Sequence, residues 1–236
     1  PNVALYHANL GEMYRLVGKT DEAIASARRA IEINPDHAGA LSNLGVALFE
    51  QEKFDEALAC YDRAIAIQPD FVQAYSNRGN ALQRLKRFVE AETAYRRAIE
   101  LHPAFADAWS NLGTCLRELK RPEEAEAAYR KALELGPNNP DTLDNLALAL
   151  KDLERLDEAV ELLRRALAIE SRNDKFYIHY STILLDLHKP DEAAAAPRGR
   201  RRSIQTIMTP PIRWAGWPTN ATICRARSAT IVVHWS

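Results

Sequence analysis

Apolar side chains recur every three or four residues over most of this chain, the spacing that places them on one face of an α-helix. Within residues 106–139 a first apolar stripe is formed by Trp109, Leu112, Cys115, Leu116 and Leu119. A second stripe is formed by Ala125, Ala128, Tyr129, Ala132, Leu133 and Leu135. Pro122 stands between the stripes, where a helix tolerates it at its first position, and Gly136-Pro137 follows the second stripe. The segment is therefore predicted to form two helices joined by a short turn.

This two-helix pattern returns along the chain every 34 residues. One column of small residues consists of Gly11, Gly45, Gly79 and Gly113, continued by Ala147 and Ser181. Other columns with the same period are Ala23, Ala57, Ala91, Ala125, Ala159 and Ala193, and Pro35, Pro69, Pro103 and Pro137. The columns define five complete units, residues 4–37, 38–71, 72–105, 106–139 and 140–173, and an incomplete sixth, residues 174–196. No unit can bury its apolar faces alone, so each is expected to be stabilised by its neighbours.

The period and its key residues resemble the tetratricopeptide repeat, W-x2-L-G-x2-Y…A-x3-F…P. Trp109-x2-Leu112-Gly113, Ala125-x3-Tyr129 and Pro137 follow that pattern, with Leu116 in place of its usual Tyr. The resemblance covers residues 4 to about 196. It implies an all-α, right-handed superhelix whose concave surface is lined by the first helix of each unit. Gly113 and Ala125 are expected where the paired helices approach most closely, since a bulky side chain there would overpack the contact.

The repeat pattern ends at Ala196, and the composition changes there. Pro197 stands inside the expected last helix, where it would remove a hydrogen bond. No acidic residue follows Glu192, whereas seven Arg do, so 24 basic and 32 acidic residues give residues 1–192 a charge of −8 and the rest +7. Residues 1–196 are interpreted as the array, and residues 197–236 as an irregular basic tail, either disordered or the non-native product of a shifted reading frame. A weaker alternative function is binding of nucleic acid or an acidic surface by these Arg and Trp residues.

The sixth position of each unit carries the same amide side chain: Asn9, Asn43, Asn77, Asn111 and Asn145. Asn is a mediocre helix former, so five in register require a reason. Its carboxamide can donate and accept, which matches the C=O and N–H of a peptide backbone. We expect this column, the Asn ladder, to hold an extended polypeptide, or alternatively to bond neighbouring repeats. Other polar residues expected on the same concave face are Ser42, Ser76, Ser110, Asn80, Asp107 and Asp141.

Two comparisons within the repeat family bear on the partner. Tetratricopeptide domains that hold chaperone C-terminal carboxylates carry Lys in a clamp, but the fifth position here is Ala8, Ser42 and Ser76, which argues against that ligand. The segments SNLG, SNRGNAL and YRRAIELHP are similar to the repeat region of protein O-GlcNAc transferases and their bacterial relatives. In those enzymes the repeats deliver polypeptide substrates to a glycosyltransferase domain, which this chain lacks. A substrate-recognition fragment of such an enzyme is therefore the alternative to a general protein-binding scaffold.

The sequence contains no pattern that indicates chemistry. There is no HExxH, CxxC, GxGxxG or GxxxxGK[ST], so we predict no catalytic residue, no metal site and no cofactor, and we do not expect an enzyme. Cys60, Cys115 and Cys224 are dispersed and odd in number, which is typical of a reducing compartment. No apolar run is long enough to span a membrane. These features favour a cytoplasmic protein.

Overall fold

The computed structural model describes residues 2–195, and in that range all regular secondary structure is α-helical. The helices are α1 (Asn2–Leu16), α2 (Thr20–Ile33), α3 (Ala38–Glu50), α4 (Phe54–Ile67), α5 (Val72–Arg84), α6 (Phe88–Leu101), α7 (Ala106–Glu118), α8 (Pro122–Leu135), α9 (Pro140–Asp152), α10 (Leu156–Ile169), α11 (Asp174–Asp186) and α12 (Pro190–Ala195). The predicted all-α solenoid is confirmed. The prediction for residues 197–236, and the disruptive Pro197, lie outside the described residues.

The helices stack in chain order, and their contacts divide them into two layers. Every odd-numbered helix packs against the even-numbered helix that follows it, and every even-numbered helix from α2 to α10 also packs against the next odd-numbered one. Successive odd-numbered helices, from α1 to α11, contact one another directly. Successive even-numbered helices in the described part of the chain do not. The odd-numbered helices thus lie closer together than the even-numbered ones, and the stack curves towards the odd-numbered side. The odd-numbered helices therefore line the concave face.

Each odd-numbered helix is followed, two positions after its last residue, by one residue in the left-handed conformation. These residues are Gly18, Glu52, Lys86, Lys120, Glu154 and His188, with φ between 57° and 76°. In α7 the N–H of Lys120 donates to the carbonyl of Arg117 at 3.0 Å, and the N–H of Arg121 to that of Leu116 at 3.0 Å. This is the hydrogen-bond pattern of a Schellman motif, which satisfies the last carbonyls of a helix and reverses the chain. The turn within each unit is therefore the same although only Gly18 is a glycine.

The small residue of the first helix faces a tyrosine ring in units two to four, and this leaves no room for a larger side chain at Gly113. A Cβ on Gly113 would lie 2.7 Å from the ring of Tyr129. The same holds for Gly45 with Tyr61 and Gly79 with Tyr95, at 2.5 Å in both pairs. The three tyrosines are almost completely buried. Their rings thus fill the space that the absent side chains leave, and they set the spacing of the two helices.

The first and fifth units lack this tyrosine, and their small residue differs accordingly. In unit one Ala27 takes its place, and a Cβ on Gly11 would meet the carbonyl oxygen of Ala23 at 3.1 Å, so the two helices do approach there as expected. In unit five Leu163 takes its place, and the glycine is replaced by Ala147. Ala147 and Leu163 are both fully buried in the main core. The smaller partner explains why unit five accepts a methyl group.

None of the helices in residues 2–195 is both long and apolar enough to cross a lipid bilayer.

Candidate functional site

A polar cavity of about 330 Å³ lies on the concave face between α5, α7 and α9. It brings together eight of the predicted site residues: Ser76, Asn77, Asn80, Asp107, Ser110, Asn111, Asp141 and Asn145. The rest of its lining consists of Gln73, Phe105, Asn139 and Thr142. The other predicted residues, Asn9, Ser42 and Asn43, belong to units one and two and do not line it. The Asn ladder thus enters a common space over three successive units.

Four of the ladder residues fall into two groups, according to whether the side chain makes a hydrogen bond. The amide nitrogen of Asn43 donates to the carbonyl of Ala8 at 3.3 Å, and that of Asn111 donates to Asn80 Oδ1 at 3.0 Å. These bonds join each residue to the preceding unit. Asn77 and Asn145 are half-buried and make no side-chain hydrogen bond within residues 2–195. The ladder therefore contains rungs that connect repeats and rungs whose amide groups remain available to another molecule.

Asn80 is oriented by two donors on its amide oxygen. Tyr95 O–H donates to Asn80 Oδ1 at 2.8 Å and lies 2.9 Å from Gln83 Oε1, while Asn111 donates to the same Asn80 oxygen. Burial raises the pKa of the Tyr95 hydroxyl far above its ordinary value, so this group stays protonated and remains a donor. The core tyrosine of unit three thereby fixes a side chain of the cavity wall.

The fifth position of units two to four is a serine, and this serine column, Ser42, Ser76 and Ser110, is mostly inaccessible to solvent. Ser42 and Ser76 are each 4% exposed, although Ser76 still forms part of the cavity wall. The hydroxyl of Ser110 lies 3.0 Å from the hydroxyl of Thr142 in the next unit. The fifth position of a unit therefore faces the neighbouring odd-numbered helix, so these serines were expected in the groove but lie largely at the junction between units.

A charged junction between α9 and α11 is not among the features predicted from the sequence. Asp144 occupies the serine column and is fully buried. Its Oδ1 lies 2.6 Å from Nδ1 of His179. Its Oδ2 forms an ion pair with Nζ of Lys175 at 3.0 Å and has no hydrogen-bond partner in the described residues. Burial lowers the pKa of Lys175, but contact with the Asp144 carboxylate outweighs it and the pKa is raised. The signal in the sequence was the replacement of Ser by Asp144 together with the replacement of Asn by His179.

Charged residues at the C-terminal ends of the odd-numbered helices connect neighbouring units. The ion pairs are Arg15 with Glu50 at 3.0 Å, Arg117 with Asp152 at 2.6 Å, and Lys151 with Asp186 at 2.9 Å. In each pair the cation belongs to one odd-numbered helix and the carboxylate to the next. These cations beside the groove are thus neutralised within the array.

A protein-family model matches most of this chain. The model of the tetratricopeptide domain described as "Cilia and flagella-associated protein 70 C-terminal domain" matches residues 4–206. No curated protein sequence matches significantly.

Many solved structures resemble this one. PilF of Pseudomonas aeruginosa superposes with a TM-score of 0.74 at 24% identity, over 83% of this chain and 89% of that chain. TTC0263, a TPR protein of Thermus thermophilus, has a TM-score of 0.63 at 23% identity, over 77% and 99%. YrrB, described as a TPR protein with an unusual peptide-binding site, has a TM-score of 0.60 at 22% identity, over 72% and 88%. At these identities the likeness concerns the fold.

Proposed function

We propose, since this chain belongs to the tetratricopeptide family described as the Cilia and flagella-associated protein 70 C-terminal domain, that it is a protein-interaction scaffold. Its ligand would be an extended polypeptide segment that lies along the concave face. The observation that carries the proposal is the polar cavity between α5, α7 and α9, which the Asn ladder enters from three successive units. A peptide-binding site described for the similar protein YrrB supports the same kind of ligand.

The chemistry of the cavity suits a peptide main chain. An extended segment presents N–H and C=O groups that need partners when water is removed. Asn77 and Asn145 each offer a donor and an acceptor without an internal partner in the described residues. Asn80 and Asn111, in contrast, are already oriented by Tyr95 and by each other. We therefore assign main-chain contact to Asn77 and Asn145, and support of the cavity wall to Asn80 and Asn111.

Substitution of the two available rungs tests this assignment. The probe is fluorescein-labelled ribonuclease A that has been reduced and carbamidomethylated, which is an unfolded polypeptide. Asn77→Ala and Asn145→Ala should each weaken its binding by about 0.5–1.5 kcal/mol, because one hydrogen bond is lost in each. Fluorescence anisotropy measures the dissociation constant, and thermal unfolding followed by circular dichroism should show unchanged stability. Unchanged affinity in the double variant would contradict the proposal.

Two controls separate binding from folding. Asn138→Ala removes the same amide from an exposed loop residue outside the cavity and should leave binding unchanged. Asn43→Ala removes a rung that bonds to Ala8, so it should lower thermal stability. If Asn138→Ala weakened binding as much as Asn77→Ala, the probe would be attached to the surface in general and not to the groove.

A narrower proposal concerns the process that the array serves. The segments similar to the repeats of protein O-GlcNAc transferases support a role as the substrate-recognition part of a larger glycosyltransferase. The coding DNA across and beyond Ala196, translated in all three frames, tests it. A glycosyltransferase domain would support this role, and a stop after a few further repeats would contradict it.

A cytoplasmic location likewise stays a prediction, which imaging of the tagged protein would test.

A further inference from the structure

The polar cavity has acceptors and negative charge but no basic residue in its lining. Two carboxylates, Asp107 and Asp141, stand among amide and hydroxyl groups, and no Lys, Arg or His lines it. The two residues are 34 positions apart, each the second residue of its helix, α7 or α9. The same position therefore contributes a carboxylate to the cavity in two successive units.

Stabilisation of a helix N-terminus by negative charge is the simplest alternative explanation for these carboxylates. The equivalent residues in neighbouring helices do not support it as the whole reason. They are Gly39 in α3 and Gln73 in α5, and both helices form without the charge. In α11 the equivalent residue is Lys175, whose positive charge opposes the helix dipole. The helix dipole alone therefore does not determine which residue stands at the second position of these helices.

Lys175 shows how a cation contacts the carboxylate at the second helix position of the preceding unit. Its Nζ reaches back one unit and lies 3.3 Å from Oδ1 of Asp141, as well as 3.0 Å from Asp144. One unit earlier the corresponding residue opposite Asp107 is Asp141 itself, not a cation. Asp107 is exposed and has no ion-pair or hydrogen-bond partner within residues 2–195. The arrangement that Lys175 completes for Asp141 is therefore incomplete for Asp107.

We infer that the cavity takes a Lys or Arg side chain of the bound polypeptide, with its charged end beside Asp107. This inference rests on the proposed function and specifies its ligand as a segment that carries a basic residue. The neutral amides of Asn77, Asn111 and Asn145 do not repel a cation, and their oxygens can accept from its several donors. A cavity of about 330 Å³ is at the lower end for ligand sites, which suits one side chain and the adjoining main chain.

Selection from a random peptide library displayed on phage tests the inference. The unchanged protein should enrich sequences that contain Lys or Arg above their frequency in the library. Asp107→Asn keeps the shape of the side chain but removes its charge, so the preference should disappear. Asp70→Asn is the matched control, because Asp70 is also exposed but lies in a loop outside the cavity. It should leave the preference intact.

An enriched peptide then gives a quantitative measure. Acetylation of its Lys removes the charge and should weaken binding about threefold to fivefold, the size expected of an exposed ion pair. For the Asp107→Asn variant the two forms of the peptide should bind equally, whereas for Asp70→Asn the difference should persist. If acetylation of the peptide weakened its binding to Asp107→Asn as much as its binding to Asp70→Asn, general charge attraction would explain the preference and the inference would be overturned.

The outcomes distinguish this inference from the proposed function. Enriched peptides without basic residues, whose binding still depends on Asn77 and Asn145, would overturn the inference and leave the proposed function standing. Failure to enrich any sequence, or binding that is indifferent to the Asn77→Ala and Asn145→Ala double variant, would overturn both.

Discussion

Single residues decide how closely the two helices of a unit pack. Gly113 has no room for a Cβ because the Tyr129 ring would lie 2.7 Å from it. Unit five tolerates Ala147 where Leu163 replaces the ring. The chain thus contains two alternative pairs at one site, glycine with tyrosine and alanine with leucine, and the pairs predict how the residues couple.

A double-mutant cycle at Gly113 and Tyr129 measures this coupling. Gly113→Ala should cost about 1–3 kcal/mol of stability through overpacking. Tyr129→Leu alone opens space and removes the hydrogen bond to Thr114. Together they reproduce the pair of unit five, so the double variant should be more stable than the sum of the single effects by about 1–2 kcal/mol. Urea unfolding followed by circular dichroism gives the free energies.

The matched control for this cycle is Gly136→Ala. A Cβ there would lie 3.8 Å from the nearest atom, which is ordinary contact, so this variant should stay close to the unchanged protein. Strictly additive effects at Gly113 and Tyr129 would show that the ring does not limit the residue at position 113.

At the scale of the elements, α11 is attached to α9 by a buried charge. Asp144→Ala would leave His179 and Lys175 without their common partner. We expect α11 and α12 to loosen by about 1–3 kcal/mol, less than for a fully buried pair because Lys175 is half exposed. Amide hydrogen exchange should become faster in α11 and α12 and stay unchanged in α3–α6. Lys175→Ala, which removes only the half-exposed partner of Asp144, should cost at most about 1 kcal/mol.

Equal acceleration of exchange in every helix would contradict this local attachment. An array whose units contact only their neighbours should lose structure near the altered junction first.

The elements were largely predictable because each helix repeats its pattern at a fixed period. The columns of small residues, alanines and prolines mark where a helix begins, ends or meets its partner. The pattern does not show that the ring of Tyr129 in the second helix lies directly against Gly113 in the first. It also does not show the orientation of one unit on the next. Hence the burial of Ser42 and Ser76 and the pairing of Asp144 with His179 were missed, whereas the ladder positions that share one helix face were located.

In the molecule as a whole, one buried tyrosine in each of units two to four belongs to a single continuous core. Burial raises the pKa of Tyr61, Tyr95 and Tyr129 above the ordinary value of 10.0, to about 12 for Tyr129. Because the folded state retains these protons longer, its stabilisation is complete below pH 10 and is lost as the pH rises through the folded pKa. Since middle units support both neighbours, ionisation of one ring should destabilise the units around it as well.

Tyr61 allows the cleanest test of this alkaline sensitivity, because its hydroxyl makes no hydrogen bond within residues 2–195 and Tyr61→Phe therefore loses only the titrating group. Urea midpoints at neutral pH should be nearly equal for the two proteins. At about pH 11, between the ordinary pKa and the value for Tyr129, the unchanged protein should lose more stability than the variant. Lysines titrate in the same range, but both proteins contain the same ones, so the difference reports the tyrosine. An identical loss in both would show that ionisation of Tyr61 does not limit the array at alkaline pH.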